Sequence, residues 1–371
     1  MGWDSRWRII RLSLSRNGTR TGGRERFQAI EQGGRSRGHR PRPRWFHLRG
    51  RHVQRTDPEV RTVRSRWLAV LLLLPLLALP GDAKERYNVW AKEKIRYHHD
   101  RVKQDPYNAQ LRVLLANAYY SDGRNFEAAE ELEQALKLDA DYPEAHCNLG
   151  IVRHAQSMVT EAEGHYRQAL QMDSTLVDAM AGLGTLLCAN GRRAAGIKFL
   201  ERTLIHDGRR DDARFNLGVA YHKVGDYRKA TDHLERLHER QPGYPGLGHG
   251  LAQSYFARGL TLLQAELPAE ALDYFRKSGT LRQDAANVHY AEGLAHLRLD
   301  DLVAAEKAFV AAVRLDKDHV PALHNLAHVL DATGRPQDAE RYYSRVARLT
   351  PHLDTIDAAR EATFDVKVLL E

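Results

Sequence analysis

Between residues 109 and 353 apolar side chains recur at intervals of three and four, the spacing that gathers them on one face of a helix. Small residues punctuate this pattern at a longer period. Ala116, Gly150, Gly184, Gly218, Gly259, Gly293 and Ala327 stand 34 residues apart except for one step of 41. A second set, Ala128, Ala162, Gly196, Ala230, Ala271, Ala305 and Ala339, follows them at a constant twelve residues. Between the two sets comes a breaker, Asp122-Gly123, Asn190-Gly191, Val224-Gly225 or Thr333-Gly334, where a glycine past a helix end turns the chain in the left-handed conformation. Each unit is therefore predicted to be two antiparallel helices that meet at their small residues, since a bulkier group in so close a contact costs roughly 1–3 kcal/mol. A fixed period in this range makes a stack of like units whose core is a continuous strip, an architecture of binding surfaces rather than of catalytic centres.

These residues resemble the tetratricopeptide repeat family, whose 34-residue unit reads W-x2-L-G-x2-Y, then A-x3-F, then P. The best match is Leu217-Gly218-x2-Tyr221, Ala230-x3-Leu234 and Pro242. Residues 143–176 carry Leu149-Gly150, Ala162-x3-Tyr166 and Ala169, and residues 320–353 carry Leu326-Ala327, Ala339-x3-Tyr343 and Pro351. The resemblance implies an all-α fold, a right-handed α-solenoid of about seven helix-turn-helix units with a C-terminal capping helix. Residues 109–244 hold repeats 1–4 and residues 252–353 hold repeats 5–7. Residues 84–108 are left as an N-terminal helix and 354–371 as the cap. The extra residues 245–251 lie in a stretch dense in glycine and proline, which predicts an adjustable joint between two blocks. Its run Gly246-x-Gly248-x-Gly250 follows no strand and precedes no Lys-Ser/Thr pair, so it is not read as a phosphate loop.

Departures from the family pattern are informative. Arg112, His146, Met180 and Arg214 replace the aromatic residue of the fourth position. Arg258 and Glu292 stand where leucine is expected, in adjacent repeats and with opposite charge; either they pair or both turn to water.

Charge is divided unevenly. Residues 1–66 contain 18 Arg, no Lys and five acids, a net of +13, while the whole chain carries +8, so residues 67–371 carry −5. This tail has no periodic apolar positions: it reads as a basic disordered arm able to neutralise nucleic-acid phosphates, or as an overextended start. Residues 64–83 have the three parts of a secretory signal: Arg64 and Arg66, the 13-residue apolar run from Trp67 to Leu79, and the small residues Gly81 and Ala83. Cleavage is expected after Ala83. The expected location is thus exported, in the periplasm. The alternatives are a cytoplasmic chain or one held by a single-pass inner-membrane anchor, against which the run is short and interrupted by Pro75. Cys147 and Cys188, the only cysteines, fall about 10 Å apart along parallel helices, too far for a disulfide.

No nucleophile elbow, metal-protease helix, paired CxxC or dinucleotide fingerprint is present, so neither an enzyme, a cofactor nor a small-molecule substrate is expected. His324 and His328 have metal-ligand spacing, but only Asp331 could join them, and no metal site is assigned. What the family resemblance implies instead is a concave face lined by the first helices, at positions 2, 5, 6, 9, 12 and 13 of each unit. There Phe215, Phe256, Tyr290 and His324, beside Val219, Leu260 and Leu294, are expected to form an apolar stripe for a peptide or amphipathic helix. Asn148, Asn216 and Asn325 would bond an extended ligand's backbone, since an amide both donates and accepts. The family's clamp for chaperone carboxylate tails would place Val113, Asn117, Asn148, Asp178 and Gly182, with both of its cations missing. The expected function is a scaffold for a protein or peptide partner in envelope assembly, secretion or maturation; the alternative is an adaptor that keeps its basic arm. Membrane contact is expected only through the signal or anchor segment.

Overall fold

The computed structural model describes residues 81–282, 286–350 and 355–362, with side chains from Val89 onward. The arginine-rich tail, the apolar run of the signal and the last residues of the expected cap lie outside them. Among the described residues there are sixteen helices and no strand. Helix α1 (Gly81–Gln104) precedes seven pairs: α2 (Ala109–Ser121) with α3 (Asn125–Leu138), α4 (Pro143–Ala155) with α5 (Val159–Met172), α6 (Val177–Ala189) with α7 (Arg193–His206), and α8 (Asp211–Lys223) with α9 (Tyr227–Arg240). The array continues as α10 (Leu247–Gln264) with α11 (Pro268–Leu281), α12 (Ala286–Arg298) with α13 (Leu302–Leu315), and α14 (Val320–Ala332) with α15 (Pro336–Leu349), followed by α16 (Ile356–Glu361).

Each pair packs on itself and on the next, which makes the molecule a helical solenoid. The small residues sit where the two helices of a unit cross. A Cβ on Gly150 would stand 2.8 Å from the Tyr166 ring, and one on Gly218 would stand 2.7 Å from Leu234. Both bulky partners come from the A-x3-F portion of the repeat. All four predicted breaker glycines adopt positive φ, between 77° and 85°. Where the repeat offers no glycine, Ser157, Glu266 and Asp300 take the same conformation at φ 65°, 57° and 58°.

Two expectations are corrected here. The predicted joint is a packed corner: Gly246 turns at φ 78°, and Leu247 to Leu251 continue as the first turns of α10. Tyr244, Leu247 and Leu251 are buried with Phe215, Leu234 and Leu237, so the extra residues extend a helix and its core instead of loosening the array. The second concerns Arg258 and Glu292, which do not meet. Arg258 donates to Thr231 Oγ1 at 2.6 Å and lies over the Tyr274 ring at 4.4 Å, whereas Glu292 pairs with His289 at 2.9 Å. The long arginine reaches back to the preceding repeat, while Glu292 is met by a histidine one turn earlier on its own helix.

Candidate functional site on the concave face

First helices of neighbouring repeats touch directly, α2 with α4, α4 with α6, α6 with α8, α8 with α10 and α10 with α12. They therefore line the inner face of the stack. Along it, polar side chains tie one repeat to the next at a regular interval. Asn148 Nδ2 donates to Asn117 Oδ1 at 3.2 Å, and Asn216 Nδ2 donates to Thr185 Oγ1 at 3.0 Å, both across 31 residues. Asn325 Nδ2 donates to the Tyr290 hydroxyl at 3.1 Å. The asparagines expected to hold a ligand thus hold neighbouring repeats in the first place. Asn117 Nδ2 is buried and meets no partner among the described residues, which leaves a donor beside the Asn148 amide.

The expected apolar stripe is largely interior. Phe215 lies against the Tyr244 ring at 5.2 Å, Tyr290 lies between Phe309 and His319 at 5.8 and 5.1 Å, and His324 meets Tyr343 edge-on. These residues, with Leu260 and Leu294, are buried; only Phe256 and Val219 of the stripe remain half-exposed. The reason is geometric: the fifth position points into the seam between repeats, where an aromatic ring fills the space that Val113, Cys147 and Ala181 fill in the first three. What the face offers is an amide-bearing strip through repeats 1–4, with half-exposed Leu114, Ile151, Val219 and Phe256 beside it.

Periodicity of apolar residues does not reveal a further set, at the last position of the unit. Arg210 is only 7% exposed and binds Asp178 at 2.6 Å and Asp212 at 3.0 Å, so one cation serves the second position of two successive repeats. Burial alone would lower the guanidinium's pKa, but Asp212 and Asp178 reverse this and hold it charged. The Asp178 carboxyl is pushed up by its own burial, more than Arg210 draws it down. In the sixth repeat His319 occupies the same place and bonds Asn287 Oδ1 at 2.8 Å, again a second-position residue. Tyr142, Leu176, Arg210, Tyr244 and His319 recur at multiples of 34 apart from the insertion and the intervening Ala285, and that recurrence was the available signal. Burial raises the Cys147 thiol far above its ordinary range, which leaves it without nucleophilic character. His324 and His328 have ring centroids 6.5 Å apart, and no cluster of three metal-ligating side chains occurs among the described residues.

Paired antiparallel helices stacked with a constant period, with an inner face of polar and apolar side chains, define a scaffold of the helical-repeat class. Family profiles described as TPR repeat and tetratricopeptide repeat match residues 103–157, 210–284 and 290–354. The chain belongs to the tetratricopeptide repeat family. It is similar to anaphase-promoting complex subunit 3 of Schizosaccharomyces pombe, 24% identical over 221 residues, 59% of this chain and 32% of that protein. It is also similar to a Hsp70-Hsp90 organising protein of Plasmodium falciparum, 28% identical over 93 residues, 24% of this chain and 37% of that one. The chain thus spans about a third of the length of these relatives. Among solved structures it is similar to YrrB, described as a TPR protein with an unusual peptide-binding site, at 21% identity and a TM-score of 0.43, covering 53% of this chain and 98% of that one.

Proposed function

We infer that the chain is a non-catalytic scaffold that binds a peptide or helical segment of a protein partner on its concave face, in the cell envelope. The observation that carries this reading is the inner strip in which the half-exposed amides of Asn148 and Asn216 lie beside the half-exposed Ile151 and Val219. Amide donors and acceptors next to half-exposed apolar side chains suit an extended backbone with bulky side chains. The site centres on repeats 1–5, with Phe256 at its far edge. A photoreactive benzoylphenylalanine replacing Ile151 or Phe256 in the native host is expected to crosslink a discrete partner protein, while the same group at Ile205, 80% exposed on an outer helix, does not. Equal crosslinking from all three positions would overturn the reading.

The envelope location rests on residues 64–83. The mature protein from its own host is expected to begin at Lys84, read by N-terminal sequencing and intact mass. A chain retaining the arginine-rich tail would instead make residues 1–66 a second binding element, tested by salt-sensitive nucleic-acid binding.

A further inference from the structure

Helix α1 carries a second exposed surface, apart from the concave strip. Trp90, Lys94, Tyr97 and Arg101 recur at the steps of four and three that place side chains on one face of a helix. This row lies about a quarter-turn round from Ala91, Ile95, His98 and Val102, the stripe buried against α2. Trp90 and Tyr97 are each 52% exposed. Lys94 Nζ lies over the Trp90 ring at 5.1 Å and the Arg101 guanidinium over the Tyr97 ring at 5.7 Å, so two large rings are held in fixed alternation with two positive charges.

Charge sets this helix apart from the array behind it. Residues 89–104 hold five Lys or Arg and two acids, a net of +3, whereas residues 105–371 hold 31 Lys or Arg and 39 acids, a net of −8. The two acids of the helix, Glu93 and Asp100, are exposed and fall about a quarter-turn beyond the row, on the side opposite α2. Two anionic surfaces have the charge to meet such a row, a nucleic-acid strand and a bilayer with acidic headgroups. Base stacking needs open ring faces, and one face of each ring is already taken by a cation of this chain. Ring area and positive charge within a helical turn of each other suit the headgroup layer instead. There Trp and Tyr seat an apolar body with a polar tip, while Lys and Arg lay their stems on apolar surface and reach the phosphates.

We propose that the row from Trp90 to Arg101 is a membrane-surface site that lays the α1 end of the solenoid on an anionic bilayer. The row runs about 16 Å along the helix, so the contact is interfacial and spans nothing. The acidic array is held off the same surface by its own charge, which orients the molecule and leaves the concave face free for a protein partner. Attraction of this kind acts within a Debye length and weakens as salt rises.

The test uses the protein isolated from its own host, with vesicles of phosphatidylcholine that contain or lack phosphatidylglycerol. Trp90 is the last tryptophan of the chain, and the difference in emission between the native protein and Trp90→Phe isolates its signal. With phosphatidylglycerol present, that signal is expected to shift to the blue and to be quenched by lipids brominated in their acyl chains, both effects diminishing at high salt. Phosphatidylcholine alone should produce neither. Lys94→Gln with Arg101→Gln is expected to raise the lipid concentration required about tenfold or more. Lys307→Gln with Arg341→Gln, exposed cations of the outer helices α13 and α15, should leave it unchanged. Unaltered helicity by circular dichroism shows that each variant is folded. No shift on anionic vesicles, an equal shift on neutral ones, or equal weakening by the two pairs of charge substitutions would each overturn the inference.

Discussion

At the residue scale the stack is limited by the smallest side chains. The third repeat alone carries glycine at both crossing positions, Gly184 and Gly196, where the others have alanine in at least one. Its helices have closed up accordingly. A Cβ on Gly196 would stand 2.6 Å from the Gly184 carbonyl oxygen and 2.8 Å from the Cys188 nitrogen, both backbone atoms that cannot rotate away. Gly196→Ala is therefore expected to cost about 1–3 kcal/mol in urea unfolding even though alanine is the family's own residue there. Ser157 presents the opposite case. It holds φ 65° in the inter-helix turn where repeats 1, 3, 4 and 7 place glycine. A left-handed conformation costs a side-chain-bearing residue about 1–2 kcal/mol, partly offset by the greater freedom of glycine in the unfolded chain. Ser157→Gly should raise stability by roughly 0.5–1 kcal/mol, measured by the same titration; a decrease would show that the serine makes compensating contacts.

At the scale of the element, helix α1 is the part that pH should move. It buries Ala91, Ile95, His98 and Val102 on one stripe, against Leu111, Leu115 and Ala118 of α2. His98 is only 8% exposed, and its Nδ1 meets no partner. Burial first, then the charges of Lys94 and Arg101, lower its pKa to about 4 from an ordinary 6.5. The folded chain therefore requires a neutral ring. Docking of α1 is at full strength above about pH 6.5, weakens as pH falls below it, and reaches its lowest level once His98 titrates near 4. Hydrogen exchange of α1 is expected to accelerate across that window relative to α4, and His98→Leu should abolish the acceleration; unchanged pH dependence in the variant would assign it to other groups. Much of the helix pattern was legible in the sequence, since the 34-residue period marks the units and a breaker glycine marks the turn in four of the seven. The packed corner at Tyr244–Leu251 was not, because glycine and proline density speaks only of local breaks. There the buried side chains Leu247 and Leu251 decide that the chain resumes a helix at once. The candidate site was less legible still. Position in the repeat indicates which helix lines the inner face, but whether Phe215 or Tyr290 reaches the groove or fills the seam depends on the space between repeats, which no single repeat specifies.

For the whole molecule, stability is a sum of units and of the interfaces between them, so a break at one interface should divide the array. The seam between the third and fourth repeats is the place to make that break. Arg210 bridges Asp178 of α6 and Asp212 of α8 with three hydrogen bonds, and burial has removed most of the water that could replace it. Arg210→Met keeps an apolar stem in place of the side chain's inner part and leaves two carboxylates near each other without their cation. Removing one member of such a buried set costs about 3–5 kcal/mol, mainly through the uncompensated charge that remains. Because that cost falls on one interface, the array should lose cooperativity as well as stability. Hydrogen exchange under rising urea is expected to show α2–α7 and α8–α15 opening together in the native chain and at separate denaturant concentrations in Arg210→Met. Adding Asp178→Asn and Asp212→Asn removes the stranded charges and should bring the two transitions back together, even though no ion pair is restored. If the triple variant stays divided, the guanidinium's packing holds the repeats together; if the single variant stays cooperative, the apolar contacts of Ile197, Leu200, Ala213 and Leu217 are sufficient across that seam.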